Sequence, residues 1–180
     1  MKTLTLLRHA KSGWDDPVAR DFDRPLNEKG KKAARTMGRK AQELNLTADR
    51  LIASPAARVM QTLESFFEGL GRIIDPVWDK RIYLASSSTL LDIIRETDAS
   101  VDHLMLVGHN PGLEDLILDL VADDGSSPLR DIVEVKYPTA CLAQLSWEGS
   151  DWRSLGPNSG LHIDTLTRPR DVDPSLGPDR

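Results

Sequence analysis

Arg8 and His9 close a short apolar run, Leu4-Thr5-Leu6-Leu7, and polar or turn-forming residues follow to Asp16. The run is too brief for a helix and reads as a buried strand. A strand that stops at an arginine and a histidine offers a cation and a nucleophilic ring nitrogen at the carboxyl edge of a sheet. Open α/β sheets bind their ligands at that edge. Arg58 falls in the first turn of a helix that Ser54-Pro55 would open, serine being a favoured N-cap and proline a favoured first helical residue. The helix dipole disfavours a cation there. An anion facing Arg58 explains it better than a surface arginine reaching sideways to an acidic neighbour. His109 follows a second apolar run, His103-Leu104-Met105-Leu106-Val107, within the turn Gly108-His109-Asn110-Pro111. Singly, each of these is an ordinary polar residue at the end of an element. Together, two arginines and two histidines suit a tetrahedral dianion, because guanidinium forks match phosphate oxygens. Helix N-termini at Ser54 and Asn110 would add N–H donors and positive dipole ends.

The elements that must position these residues can be read in order. Ser12 to Arg24 is a charged, aromatic loop containing Trp14, Asp15, Asp16, Asp21 and Asp23. Ala33, Ala34, Met37, Ala41 and Leu44 then recur at helical spacing, with lysines and arginines on the other faces. Asp49 to Ala53 reads as a second strand. Val59, Leu63, Phe66, Phe67 and Leu70 continue the helix that carries Arg58. A short third strand lies around Ile73 to Trp78, a helix spans Ser86 to Arg95, and His103 to Val107 is the fourth strand. Leu113, Leu116, Ile117, Leu120 and Val121 place a helix after Pro111. Thr139 to Trp147 and Trp152 to Leu155 read as a closing pair of strands, turned at Glu148 to Asp151. This β-α order predicts an α/β fold, a three-layer sandwich whose mostly parallel central sheet carries helices on both faces. If strands one, two and four are parallel neighbours, Arg8, His9, Arg58 and His109 gather at one edge. Residues 1–155 form a single domain in this reading. The Pro/Gly-rich stretch 156–180 is a mobile tail that adds little to the core.

At 180 residues and 39% hydrophobic, the chain suits one globular domain. It has no apolar stretch long enough to cross a bilayer and no signal peptide, so the expected location is the cytoplasm. Cys141 is the sole cysteine, which rules out an internal disulfide and fits a reducing compartment; its apolar neighbours mark a buried structural thiol. The net charge of −5 argues against a nucleic-acid partner. It does not argue against an anionic substrate, since a local arginine cluster outweighs a mildly acidic average. A zinc site built on His9 and His109 is disfavoured: the arginines would repel the ion, and no cysteine pair or carboxylate joins in ligand spacing. His103 and His162 read as structural or surface residues. Gly-x-x-x-x-Gly-Lys-Ser/Thr, Gly-x-Gly-x-x-Gly and Gly-x-Ser-x-Gly patterns are absent, against nucleotide triphosphatase, dinucleotide-binding and serine-hydrolase readings.

At this point the chain resembles a known family. Leu7-Arg8-His9-Ala10 resembles the Arg-His-Gly signature of the histidine phosphatase superfamily, and Ser54-Pro55-Ala56-Ala57-Arg58-Val59-Met60-Gln61-Thr62 its Ser-Pro-x-x-Arg-x-x-Gln-Thr segment. Val107-Gly108-His109-Asn110-Pro111 is similar to its second-histidine motif. The short length and the lack of a large helical insertion resemble the SixA-type phosphohistidine phosphatase branch, as does Arg24-Pro25-Leu26 followed by Gly30. The resemblance implies a phosphoglycerate mutase-like fold and no cofactor or metal. It also implies catalytic roles for His9, Arg8, Arg58 and His109, and substrate binding by Arg8, Arg58, His109 and Arg24. Ala10 departs from the family glycine and fits the same turn only at negative φ. Larger members carry a carboxylic general acid after the third strand, where Asp79 lies; a missing acid would fit a phosphoramidate substrate.

The resulting expectation is a phosphatase in which neutral His9 forms a phosphohistidine intermediate, with His109 protonated beside the dianion. The substrate is protein phosphohistidine. The alternatives are a small-molecule phosphomonoesterase and, in another class, a non-catalytic phosphate-binding module. The working form is taken to be a monomer, with a phosphorylated protein or small molecule as partner and neither nucleic acid nor membrane.

Overall fold

The computed structural model describes residues 1–13 and 20–177. Trp14, Asp15 and Asp16 of the charged loop lie outside the described residues. Four strands, β1 (Lys2–Arg8), β2 (Arg50–Ala53), β3 (Pro76–Trp78) and β4 (His103–Gly108), run parallel. β5 (Leu142–Trp147) and β6 (His162–Thr167) complete the sheet antiparallel, in the order β3-β2-β4-β1-β5-β6. The crossover helices are α1 (Glu28–Glu43), α2 (Ala57–Leu70) and α3 (Ser87–Arg95). α4 (Gly112–Leu120), α5 (Pro128–Val135) and the short α6 (Pro169–Val172) follow. This is the α/β architecture expected from the β-α order.

Strand alternation assigns the two faces. Leu4, Leu6, Ile52, Leu104 and Leu106 pack with α3, α4 and α5 in one apolar cluster. Leu7, Leu51, Ala53, Met105 and Val107 pack with α1 and α2 in the other. Neighbouring residues of one strand thus enter opposite layers, as a period of two requires. All of these side chains are buried, and each one larger than alanine contributes roughly 1.5–3 kcal/mol relative to exposure.

The C-terminal third differs from the expectation. Trp152–Ser154 is a 3-10 turn rather than a strand, and the indole of Trp152 is buried with its Nε1–H donating to Val101 O at 2.8 Å. The strand beside β5 is β6, drawn from the stretch 156–180 that reads in sequence as a loose tail. Leu161, Ile163 and Leu176 of this stretch are buried. Its prolines punctuate short elements: Pro169 begins α6 and Pro174 begins a 3-10 turn. α5 is a further element that the sequence reading lacks; Ser127 caps it by accepting from Arg130 N–H.

α1 and α2 touch backbone to backbone. A Cβ on Gly38 would lie 2.0 Å from Phe66 O, and a Cβ on Gly69 would lie 2.0 Å from Arg35 O. Each helix therefore presents a glycine under a carbonyl of the other. Gly38→Ala is expected to push the helices apart and lower stability by about 2 kcal/mol, a fall in Tm of roughly 4–8 °C. Thermal melts of the variant and wild type test this; an unchanged Tm would mean the helices do not meet at this point.

Candidate active site

Sheet register brings the two histidines together. Arg8 of β1 lies opposite Gly108 of β4, and Ala53 of β2 lies opposite Val107. The chain leaves all three strands at the same level. His9 N–H donates to Gly108 O at 3.1 Å, and Ser54 N–H donates to Val107 O at 3.1 Å. The rings of His9 and His109 consequently sit 5.3 Å apart between centroids.

The helix after β2 begins later than its N-cap signal suggests. Pro55 and Ala56 precede α2, Ala56 being extended, and Ser54 Oγ instead lies 2.7 Å from His109 Nε2. Ser54 also accepts from Ala56 N–H at 3.3 Å. The favoured cap residue is thus diverted to orient an imidazole. Asn110 does act as a cap, its Oδ1 accepting from Glu114 N–H at 3.2 Å. Ala10 is not among the residues of positive φ, so alanine fits the turn where the family has glycine.

A cavity of about 580 Å³ is lined by Arg8, His9, Arg24, Arg58 and His109, together with Ser12, Asp21 and Asn110. All five residues singled out in the sequence therefore share one space. His9 is 7% exposed and its Nδ1 lies 2.7 Å from Ala10 O. A carbonyl can only accept, so Nδ1 carries the proton and Nε2 keeps a lone pair. Arg8 Nη1 donates to Tyr137 O at 3.1 Å, and Asn110 Nδ2 donates to the same carbonyl at 2.8 Å. Tyr137 is itself fully buried, its hydroxyl donating to Leu6 O at 2.7 Å.

Asp21 is the residue that sequence reasoning passed over. Arg58 donates from Nη1 to Asp21 O at 2.7 Å and from Nη2 to Asp21 Oδ2 at 3.1 Å. Arg24 Nη2 donates to Asp21 Oδ1 at 3.0 Å, and the Tyr83 hydroxyl donates to Asp21 Oδ2. One carboxylate thus sets two guanidiniums and a phenol. The Tyr83 hydroxyl, then Arg24 and Arg58, hold the Asp21 carboxyl well below the usual carboxylate range despite partial burial. Among the described residues, Arg58 Nε and His109 Nδ1 are buried without a hydrogen-bond partner. Buried polar nitrogens left this way are costly, and they border a cavity where an anion would meet them.

Both imidazoles are held neutral. Burial pushes His9 down to about 3, against its bond to Ala10 O, and the Arg8, His109 and Arg58 charges add to the fall. His109 is likewise lowered to about 3, by burial first and by Arg58 next, with Asp21 opposing. The protonated His109 expected beside a dianion is therefore not the form that burial and Arg58 favour. These shifts carry a sign. The unfolded chain takes up protons near 6.5 and the folded chain only near about 3. Between those values acid favours unfolding. Stability should be fully present above pH 6.5 and fall as pH drops toward 3, by at most about 1.4 kcal/mol per pH unit for each imidazole. Denaturant midpoints from pH 7 to 4.5 test this. His109→Gln should follow a shallower slope than wild type, and parallel slopes would place the missing protons elsewhere.

Asp79, in the region where larger relatives carry a general acid, does not line the cavity. It accepts from Arg81 N–H at 2.9 Å and from the Arg81 guanidinium, which hold its carboxyl below the usual range. Cys141 is buried, and burial raises its thiol well above the ordinary value. Among the described residues no group of three or more His, Cys, Asp or Glu could hold a metal ion, and no helix is long and apolar enough to cross a membrane.

The chain matches the histidine phosphatase superfamily (branch 1) over residues 4–82. SixA from Agrobacterium tumefaciens is 31% identical with a TM-score of 0.75, the match covering 93% of this chain and 97% of that one. SixA from Nakamurella multipartitia is 28% identical with a TM-score of 0.77, covering 93% and 96%. An uncharacterized protein of Mycobacterium tuberculosis is 29% identical over 162 residues, 87% of this chain and 99% of that protein. The paired histidines on β1 and β4, the arginine that opens α2 and a likeness running the length of SixA have one common source: this chain belongs to the histidine phosphatase superfamily and is of the SixA type.

Proposed function

We propose that the protein is a metal-independent phosphatase that acts on protein phosphohistidine through a covalent intermediate on His9. The observation that carries this reading is the state of His9: neutral, its Nδ1–H locked to Ala10 O, and its Nε2 left as a nucleophile in a cavity walled by guanidiniums. Nε2 attacks phosphorus as the bond from phosphorus to the leaving imidazole breaks, and that imidazole takes up a proton from solvent. Water then attacks the phosphorylated His9, the P–Nε2 bond breaks, and inorganic phosphate leaves with His9 neutral again. Arg8 and Arg58 neutralise the non-bridging oxygens, Arg24 widens the cationic wall, and His109 meets the charge that develops in line. Positioning and charge neutralisation of this kind supply most of the catalysis of phosphoryl transfer.

The substrate class follows from the carboxyl group in the cavity. Asp21 is held ionised by Tyr83, Arg24 and Arg58, so it is a poor proton donor to a leaving group. An alkoxide leaving group needs such a donor. The nitrogen of a phosphoramidate takes up its proton readily, so phosphohistidine makes the smaller demand. The likeness to SixA points the same way.

A panel of phosphohistidine peptide, phosphoserine peptide and sugar phosphates, each with and without EDTA, tests the proposal. The expected result is turnover fastest on phosphohistidine, unchanged by EDTA, with acid-labile phosphate trapped on His9. Faster turnover of sugar phosphates would instead make this a small-molecule phosphomonoesterase. Phosphate binding without any turnover would leave a binding module.

A further inference from the structure

A second cavity, of about 50 Å³, opens beside the first. Lys11, Lys29, Lys136, Arg168 and Arg170 line it, and among the described residues no carboxylate does. Lys11, Lys136 and Thr139 line both cavities, so the two adjoin.

Three physical features separate this wall from an ordinary solvated lysine surface. The first is its apolar backing: the buried Pro169 and Leu176 stand among the cations, and an apolar lining strengthens charge interactions. The second is counterion placement. Asp171 neutralises Arg168, with Nη2 to Oδ1 at 2.8 Å, but the carboxylate itself stays out of the cavity lining. The third is the position of Lys29 in the first turn of α1, where the helix dipole disfavours a cation. The wall exists only because residues 168–177 fold back over the start of α1, which links the C-terminal stretch to the active site.

We propose that this cavity binds a second anionic group, a carboxylate or a phosphate, carried on the same substrate as the phosphoryl group that His9 attacks. The inference rests on the phosphatase reading above and narrows it: the substrate is anionic at two places. A cavity of this volume has room for a carboxylate or a single phosphate group. A carboxylate would come from an acidic side chain flanking phosphohistidine in a protein, and a phosphate from a small bisphosphorylated molecule.

Charge reversal at Lys29 and Arg170, both exposed and outside the catalytic cavity, tests the inference. Wild type, K29E, R170E and K29E/R170E would be assayed on phosphoramidate, on phosphohistidine peptides with acidic or amide flanks, and on a sugar bisphosphate with its monophosphate. Phosphoramidate turnover should be the same in all four proteins. Wild type should favour the acidic-flanked peptide through KM by roughly tenfold or more, and the double variant should lose that preference. A preference for the bisphosphate, lost in the same variant, would keep the subsite and overturn the protein-substrate reading. No preference for either doubly anionic compound in wild type, or a preference that survives double charge reversal, would overturn the subsite. If phosphoramidate is not turned over at all, the phosphatase reading fails by itself. Calorimetric binding of the bisphosphate against the monophosphate to wild type and K29E/R170E then decides the subsite without catalysis.

Discussion

His9→Ala is expected to lower kcat by at least about 10³-fold while vanadate still binds within about tenfold of wild type. The two halves of this expectation have separate structural reasons. Covalent transfer needs the lone pair that His9 Nε2 presents to the cavity, and Ser54 Oγ holds the corresponding nitrogen of His109. Binding of an anion relies on guanidiniums that do not depend on the imidazole, since Arg8 is fixed by Tyr137 O and Arg58 by Asp21. The truncated site should also fold, because the imidazole lines the cavity and belongs to neither apolar cluster. Single-turnover kinetics and vanadate calorimetry measure both halves. Full activity in the variant would remove His9 as nucleophile.

Arg58→Ala should act on binding and rate together. Its side chain is 3% exposed, and it joins α2 to Asp21. Each charge-assisted hydrogen bond to a phosphoryl oxygen contributes roughly 1.5–3 kcal/mol, so vanadate affinity should fall about 10- to 150-fold. A greater loss in kcat/KM is expected, because charge develops further in the transition state. Arg58→Lys should recover little. A lysine ammonium cannot hold both Asp21 O and Asp21 Oδ2 from one planar fork while turning a donor toward the substrate. Vanadate affinity equal to wild type in Arg58→Ala would place Arg58 outside the site.

The site was legible in the sequence where chemistry and local order coincide. Arg8-His9 and His109 end apolar runs, and those runs are the central strands β1 and β4, so register alone delivers the pair. Arg58 stood out because it opposes a helix dipole. Asp21 did not stand out, since it is one acid among several in a charged loop. Its partners Arg58 and Tyr83 come from positions 37 and 62 residues away in the chain. Tyr137 was hidden for the same reason: its value lies in a backbone carbonyl, which carries no side-chain signature. β6 was missed although His162 to Thr167 shows the uneven burial of an edge strand, because the surrounding prolines and glycines suggested slack chain. Ser54 shows the opposite error. It carries a strong capping signal, yet tertiary contact with His109 claims it.

The paired glycines between α1 and α2 have a kinetic consequence. Arg58 stands at the start of α2, and that helix has no soft side-chain layer beneath it at Gly69, only the main chain of its neighbour. The guanidinium is therefore mounted on a stiff bracket whose seat lies more than two helical turns from the reacting atoms. Substitutions at that seat that still allow folding should behave as remote activity mutants, raising KM in a protein whose cavity-lining residues are all intact.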